Sequence, residues 1–291
     1  IEIVNSVINV FAVPCIHNSS RGLVFFLGHS QEISYTRNIV TCFVFAFFFY
    51  QTYSLLALHF LYRYKAVCNP RWLRHLDKLN TATVIALCAA IVIGHSSSYS
   101  ALLVHLLPND VTTQEFASDF AIYYGINLNE IGYLGTVLHV KGKNGSGREW
   151  QWMTLLVWAV LSVLLICTVA VILFCTLRIR RALRNGDNNL AMSPKTRRLQ
   201  MQLFTALIIQ TLIPFVVTYI PIAIIMVLPI IGVNLGETSG TILLSLSIFP
   251  VVDPIFIIFF VQCYRRLVLQ SLSHIFSCCT VKLDPLVIIS I

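Results

Sequence analysis

The sequence predicts an all-α, polytopic transmembrane helix bundle, and three observations predict it. The 291 residues are 57% hydrophobic and only 11% charged, with mean hydropathy +0.80. A water-soluble domain of this length needs far more charge to cover its surface. The apolar residues gather into runs long enough to cross a bilayer core, for which about 20 helical residues suffice. The 20 Lys and Arg avoid those runs and divide unevenly among the segments between them.

Taken in order, residues 1–16 are apolar but short, and read as the outer part of a truncated span. Ile1 is not a methionine, and no charged leader with a cleavage site precedes it, so the start reads as cut. Complete spans are expected at 38–61, 81–107, 152–177, 203–228 and 241–261, each free of Lys and Arg. Together they make one membrane bundle over 1–272, followed by a tail at 273–291. Polar connectors fill 18–37, 62–80, 108–151, 178–202 and 229–240.

Alternate connectors lie on alternate sides of a membrane. Fifteen of the 20 basic residues fall in 62–80, 178–202 and the tail, and five in the other set. The positive-inside rule places the richer set, and with it the C-terminus, in the cytoplasm. The two N-x-S/T sequons, at Asn18 and Asn144, both fall on the other side, where glycosylation is possible. Five spans and a part, with one helix restored ahead of them, would make seven with the N-terminus outside.

This distribution accounts for the net charge of +8 by topology and makes nucleic acid an unlikely partner. The nine cysteines show no C-x-x-C spacing that would suggest a zinc site, and no metal or other cofactor is expected. No G-x-S-x-G, H-E-x-x-H or phosphate-cradling loop occurs, so an enzyme is not expected. A secondary transporter would also carry buried acids and broken helices, but the halves show no internal repeat.

Candidate mechanistic residues follow from depth and chemistry. Tyr62 and Arg63 stand where the 38–61 span leaves the membrane. Arg63 either snorkels to water or acts as a latch at the mouth of the bundle. Here LHFLYRYKAVCNPRWL (58–73), MSPKTRRLQMQLFTALIIQTLIPFVVTYIPIAIIMVLPIIGVNLG (192–236) and SLSIFPVVDPIFIIFFVQCYRRLV (245–268) resemble nematode serpentine chemoreceptors of the str class. The resemblance covers nearly the whole chain, more weakly in the outer connectors. It implies a seven-helix receptor with the first helix and part of the second missing. It further implies binding of a small environmental molecule or odorant within the bundle, signalling through a heterotrimeric G protein, and a plasma-membrane site in sensory cilia. A truncated, non-signalling member of such a family is the alternative.

Pro214 and Pro221 in the sixth helix, and Pro250 and Pro254 in the seventh, remove backbone hydrogen bonds. They act as hinges or as merely structural kinks. A hinge in the sixth helix lets its cytoplasmic half swing. Ser193-Pro194 suits that helix's start, which puts Lys195, Arg197 and Arg198 toward a G protein or toward lipid headgroups. Asp253 is an intramembrane acid in an Asp-Pro pair resembling the Asn/Asp-Pro element of rhodopsin-like receptors, with Ile257 where that element has tyrosine. Glu2 falls at a matching depth of roughly 18–21 Å by helical rise. Two such acids do not readily ionise together, which suggests a proton- or cation-linked contact between the second and seventh helices.

For the ligand, the third span offers Phe45, Phe48, Phe49, Gln51 and Tyr53, the fifth Trp152 and Trp158, and the sixth Tyr219. The fourth contributes the polar run His95 to Ser100, with Ser97 and Tyr99 as pocket candidates. Aromatics here line a pocket or form packing and belt residues, and the serines line a pocket or permit close packing. Rhodopsin-like receptors often pair a third-helix cysteine with one in the second outer connector; residues 108–151 hold none, which leaves Cys15 as a partner for Cys42. Cys278 and Cys279 are palmitoylation candidates or free thiols.

Overall fold

The computed structural model describes residues 12–68, 80–141, 148–185, 194–236, 238–241 and Gln270. Three of its helices are long and apolar enough to cross a membrane: Tyr35–Cys68, Thr81–Leu106 and Trp152–Arg184. By secondary structure these are α1 (Tyr35–Cys68), α2 (Thr81–Leu102, tightening into a 3-10 turn over Leu103–Leu106) and α4 (Trp152–Asn185). The 34 residues of α1 run about 51 Å at 1.5 Å each, well beyond a bilayer core of about 30 Å.

Each helix buries one narrow stripe and leaves the rest apolar and exposed. On α2 the buried residues are Val92, Ser96 and Tyr99, at helical spacing, and they face α1. Ile85, Leu87, Ile91 and Ile93 on the same helix are 50% or more exposed. In water that surface would drive aggregation, so its solvent is lipid. Residues 194–231 form a fourth helical run in three parts. These are α5 (Pro194–Pro214), a π-helical turn (Phe215–Tyr219) and α6 (Ile220–Ile231). Gly232, at φ +82, ends α6 in the left-handed conformation, and the amides of Gly232 and Val233 satisfy the carbonyls of Pro229 and Leu228.

A folded cap sits across one end of these helices. Strands β1 (Pro14–Ser19), β2 (Gly22–Leu27) and β3 (Leu134–Val137) make an antiparallel sheet in that order, and α3 (Asp110–Tyr123) covers its outer face. Strand alternation explains the layering. Val24 and Phe26 point to α3, where Phe116 and Phe120, one turn apart, close a cluster with Leu128 and Tyr133. Leu23, Phe25 and Leu27 point the other way, onto the helices: Leu23 meets Trp158 and Ile225, and Phe25 stacks on Phe45 at 5.3 Å. The sheet is thus buried on both faces, which is why β2 reads as a continuous apolar run. Asn109 caps α3, its Oδ1 accepting from the Thr112 amide and hydroxyl at 2.9 Å each. A small hairpin, β4 (His139–Lys141) with β5 (Arg148–Trp150), leads into α4.

The cap corrects two expectations. Residues 14–16, assigned to the end of a partial helical span, are strand, because they pair with Phe25, Phe26 and Leu27 rather than continue into the membrane. Residues 108–151, expected as a polar connector, contain a capped helix and three strands. The 18–37, 108–151 and 229–240 connectors converge in this cap, where Asn18 and Gly236 form a β-bridge. Glu2, Asn144, Pro250, Asp253, Pro254, Cys278, Cys279 and the 241–261 span (beyond Thr241) lie outside the described residues.

Candidate functional site

The third, fourth and sixth helices of the expected scheme correspond to α1, α2 and the 194–231 run. On α1, Phe45, Phe49 and Tyr53 recur every four residues and share a face. Tyr53 is buried, with Phe49 edge-on at 4.9 Å and Tyr219 tilted against it at 4.0 Å between ring centroids. Tyr219 is the last residue of the π-helical turn and is itself buried. Its hydroxyl has no hydrogen-bond partner among the described residues, a costly arrangement unless something else supplies one. Below this pair an apolar crevice of about 200 Å³ runs between α1, α4 and α5, lined by Phe60, Ile172, Thr211 and Phe215 with Tyr219 at its end.

The face of α1 toward α2 carries a second group. Tyr50 stacks on Tyr99 at 4.2 Å and 12°, and Ser54 Oγ lies 2.6 Å from His95 Nδ1 and 3.4 Å from Ser96 Oγ. Ser96 also donates to the Val92 carbonyl at 2.9 Å. These bonds let two helices approach closely while satisfying the Ser54 and Ser96 hydroxyls locally.

At the cap, Asn18 is fully buried and bonds to α6 and to the segment that follows it. Its Nδ2 donates to the Ile225 carbonyl at 3.3 Å, its Oδ1 accepts from the Leu235 amide at 3.3 Å, and its backbone N–H donates to Ser239 Oγ at 3.0 Å. The Ile225 carbonyl lacks its usual helical donor because residue four on is Pro229, which has no N–H. Asn18 fills that gap. Nearby, Arg21 pairs with Glu115 at 2.5 Å, and His17, fully buried among Phe116, Phe120 and Tyr124, lies 3.4 Å from Asp119.

At the opposite end a packed cluster joins the helices through Phe60, Val67, Cys175, Ile179, Leu183 and Phe204. Arg197, in the first turn of α5, donates from Nε to the Leu183 carbonyl and from a terminal nitrogen to the Arg184 carbonyl, each at 2.6 Å. It thereby caps the last turn of α4, whose carbonyls have no donors within the helix.

The family model described as serpentine type 7TM GPCR chemoreceptor Str matches residues 1–269, nearly the whole chain. The chain belongs to this family of serpentine chemoreceptors. It is 24% identical over 230 residues to serpentine receptor class r-10 of Caenorhabditis briggsae, covering 76% of this chain and 63% of the relative. To the Caenorhabditis elegans serpentine receptor class r-10 it is 25% identical over 234 residues, covering 77% and 64%. It is 23% identical over 289 residues to the C. elegans G-protein coupled receptor str-33, covering 97% and 81%. The matched part therefore spans less than two thirds of the r-10 receptors' length. No solved structure matches the chain.

Within this Str-family bundle the expected pocket residues separate. Phe45, Phe49, Tyr53 and Tyr219 come together, with Phe45 at the sheet. Tyr99 joins Tyr50 instead, and Trp158 lies under the cap against Leu23 and Ile225. Phe48 packs edge-on against Phe47, on another side of α1. Gln51 is two residues before Tyr53, about 200° round the helix, and so does not share its face. Ser97 is exposed, and its neighbour Ser96 takes the inward position, since one residue rotates a helix by about 100°. Trp152 is 76% exposed, as a belt residue would be.

Two further expectations are corrected. The Asn18 amide is buried and bonded on both atoms, so this fold leaves no room for a glycan there. Cys15 and Cys42 are free thiols in different clusters: Cys15 packs against the Phe116–Phe120 group, and Cys42 is buried with Leu27 and Tyr99. Burial pushes the Cys15 thiol above its ordinary pKa. Of the residues expected to face a G protein, Tyr62 and Arg198 are exposed and Arg63 is half-buried, whereas Arg197 is engaged in capping α4. Sequence reasoning took Asn18 as a sequon and missed it as a structural brace. Pro229 four residues after Ile225 was the available signal.

Proposed function

We propose that this chain is a ligand-gated chemoreceptor in which a small organic molecule enters the bundle beside Tyr53 and Tyr219. It acts on a heterotrimeric G protein through movement of the sixth helix. The observation that carries this reading is the double position of Tyr219, which ends the π-helical turn and also closes the aromatic site with Tyr53. Pro214 immediately precedes that turn and Pro221 follows it within two residues. Single π turns mark places where a helix changes register readily. A molecule that pushes on Tyr219, or bonds its unpartnered hydroxyl, therefore acts on the hinge itself. The ligand shifts the population toward the conformation in which the half carrying Arg198 has swung out.

The same reading places the basic connectors and C-terminus in the cytoplasm and the β-sheet cap outside, at the plasma membrane of a sensory cilium. An acid pair, Glu2 with Asp253, stays part of this proposal as a cation- or proton-linked contact. Replacing either by its amide with unchanged expression and signalling removes it.

The test is ligand-dependent nucleotide exchange by a G protein, measured on the chain in lipid nanodiscs against a panel of small odorants. Tyr219→Phe keeps the ring and removes the hydroxyl. A responding odorant with a hydrogen-bonding group is expected to lose roughly five- to thirtyfold in potency, as for one lost neutral hydrogen bond. An unaltered response in both Tyr219→Phe and Tyr53→Ala rules out this site.

A further inference from the structure

Along α4 the crevice below Tyr219 is followed by a charged surface. Val169, Leu173 and Thr176 of α4 line the crevice. Leu177, Arg180 and Arg184, with Arg181 beside them, line a hollow one to two turns further along the same helix. At about 100° per residue, Val169, Leu173, Thr176, Leu177, Arg180 and Arg184 fall within a single face about 100° wide. The three arginines are exposed, and Leu173 and Leu212, at the crevice edge, are each 56% exposed. The apolar part belongs to a helix long and apolar enough to cross a membrane, and the arginines lie at that helix's C-terminal end.

We infer that this face is a binding site for one anionic diacyl phospholipid, its acyl chain in the crevice between α4 and α5 and its phosphate on Arg180, Arg181 and Arg184. Charge complementarity selects the headgroup, because a zwitterionic lipid gains little from three clustered guanidinium groups, whereas an anionic one gains from each. The crevice selects a chain: it runs seven residues along α4 from Thr176 to Val169, about 10 Å, or about eight methylenes' worth of apolar contact. A lipid held there touches Phe215 and Tyr219, the two ends of the π-helical turn. Its occupancy therefore biases the hinge invoked above. That consequence rests on the proposed function; the lipid site does not.

The experiment is native mass spectrometry of the purified full chain, released from detergent after equilibration with dioleoyl phosphatidylserine or dioleoyl phosphatidylcholine. Retained phosphatidylserine is expected on the unaltered chain. A Arg180→Gln, Arg181→Gln, Arg184→Gln triple variant is expected to lose roughly a hundredfold in affinity for it, and the matching lysine variant to keep most of it. Leu212→Trp, which fills the crevice without touching charge, is expected to weaken dioleoyl phosphatidylserine and leave water-soluble glycerophosphoserine unaffected. Equal retention by the glutamine variant overturns the site. So does equal binding of glycerophosphoserine and the full lipid, which would make the arginines a free-phosphate site. Unchanged lipid retention with lost G-protein coupling assigns the arginines to the protein partner and likewise overturns it. Because the assay reads bound lipid alone, it fails separately from the receptor reading.

Discussion

Asn18 makes four bonds, one to the Ile225 carbonyl of α6 and three to the segment that follows it, counting the Gly236 amide that donates to its carbonyl at 2.9 Å. Asn18→Ala leaves the Ile225 carbonyl and the Leu235 amide without partners in a buried place. The expected cost is about 2–4 kcal/mol, read as a lower midpoint in a thermal melt in detergent. For the same reason, endoglycosidase treatment of cell-expressed protein is expected to give no mobility shift that depends on Asn18. His139 offers a pH-dependent counterpart in the cap. It is buried against Trp150, and burial first, then the Arg148 and Arg21 charges, hold its pKa below the ordinary 6.5. A depressed histidine contributes stability above its unfolded pKa, and that stability is lost as pH falls through the folded value. Melting at pH 7.5 and 5.5 is therefore expected to show a larger acid loss for the native chain than for His139→Gln.

At the element scale the 194–231 run is divided by its prolines. The run from Pro194 to Ile231 is three pieces because proline cannot donate, and each proline past the first turn leaves a carbonyl to be satisfied otherwise. Pro229 and Asn18 are coupled through one such carbonyl. Pro229→Ala returns a donor to Ile225, so the loss caused by Asn18→Ala is expected to shrink by about 1 kcal/mol in a double-mutant cycle. At the other end Arg197 ties the start of α5 to the end of α4 by two charge-assisted bonds. Removing them with Arg197→Ala is expected to free the swinging half and raise ligand-independent nucleotide exchange roughly three- to tenfold, for about 1 kcal/mol at this half-exposed site. Lower or unchanged basal exchange would show that the clamp does not oppose opening.

At the scale of the whole molecule, the cap and the bundle are two cores joined by one sheet. Phe116 and Phe120 are fully buried on the α3 side, away from any span. Phe120→Ala is expected to cost about 3–5 kcal/mol in the cap. Limited proteolysis should then cut 108–141 more readily while far-ultraviolet circular dichroism retains the helical signal. Simultaneous loss of both would mean that cap and bundle fold as one cooperative unit. The cap meets the bundle where β2 rests on the helices through Phe25 and Phe45. Glycine is required at one of its joints: a methyl on Gly22 would collide with the Thr136 carbonyl where β2 meets β3.

The membrane character and the family were written in composition and order, because lipid imposes a length and an apolarity that no soluble fold needs. The helices over Tyr35–Cys68, Thr81–Leu106 and Trp152–Arg184 contain the runs read at 38–61, 81–107 and 152–177 almost entirely, apart from the helix-flanking Leu107. They extend further where the chain leaves hydrocarbon, since a helix does not stop at a polarity boundary. Uniformly apolar spans carry no phase, however. Tyr53, Tyr99 and Gln51 were indistinguishable as pocket candidates until packing put Tyr53 on Tyr219 and Tyr99 on Tyr50. The cap was illegible for a different reason: its strands are three to six residues long and its helix ordinary in composition, and although β1–β2 and β4–β5 pair locally, the β2–β3 pairing joins residues more than 100 positions apart. Asn18 likewise finds its partners more than 200 positions away, so it reads as a sequon in the chain and becomes a brace only in the fold.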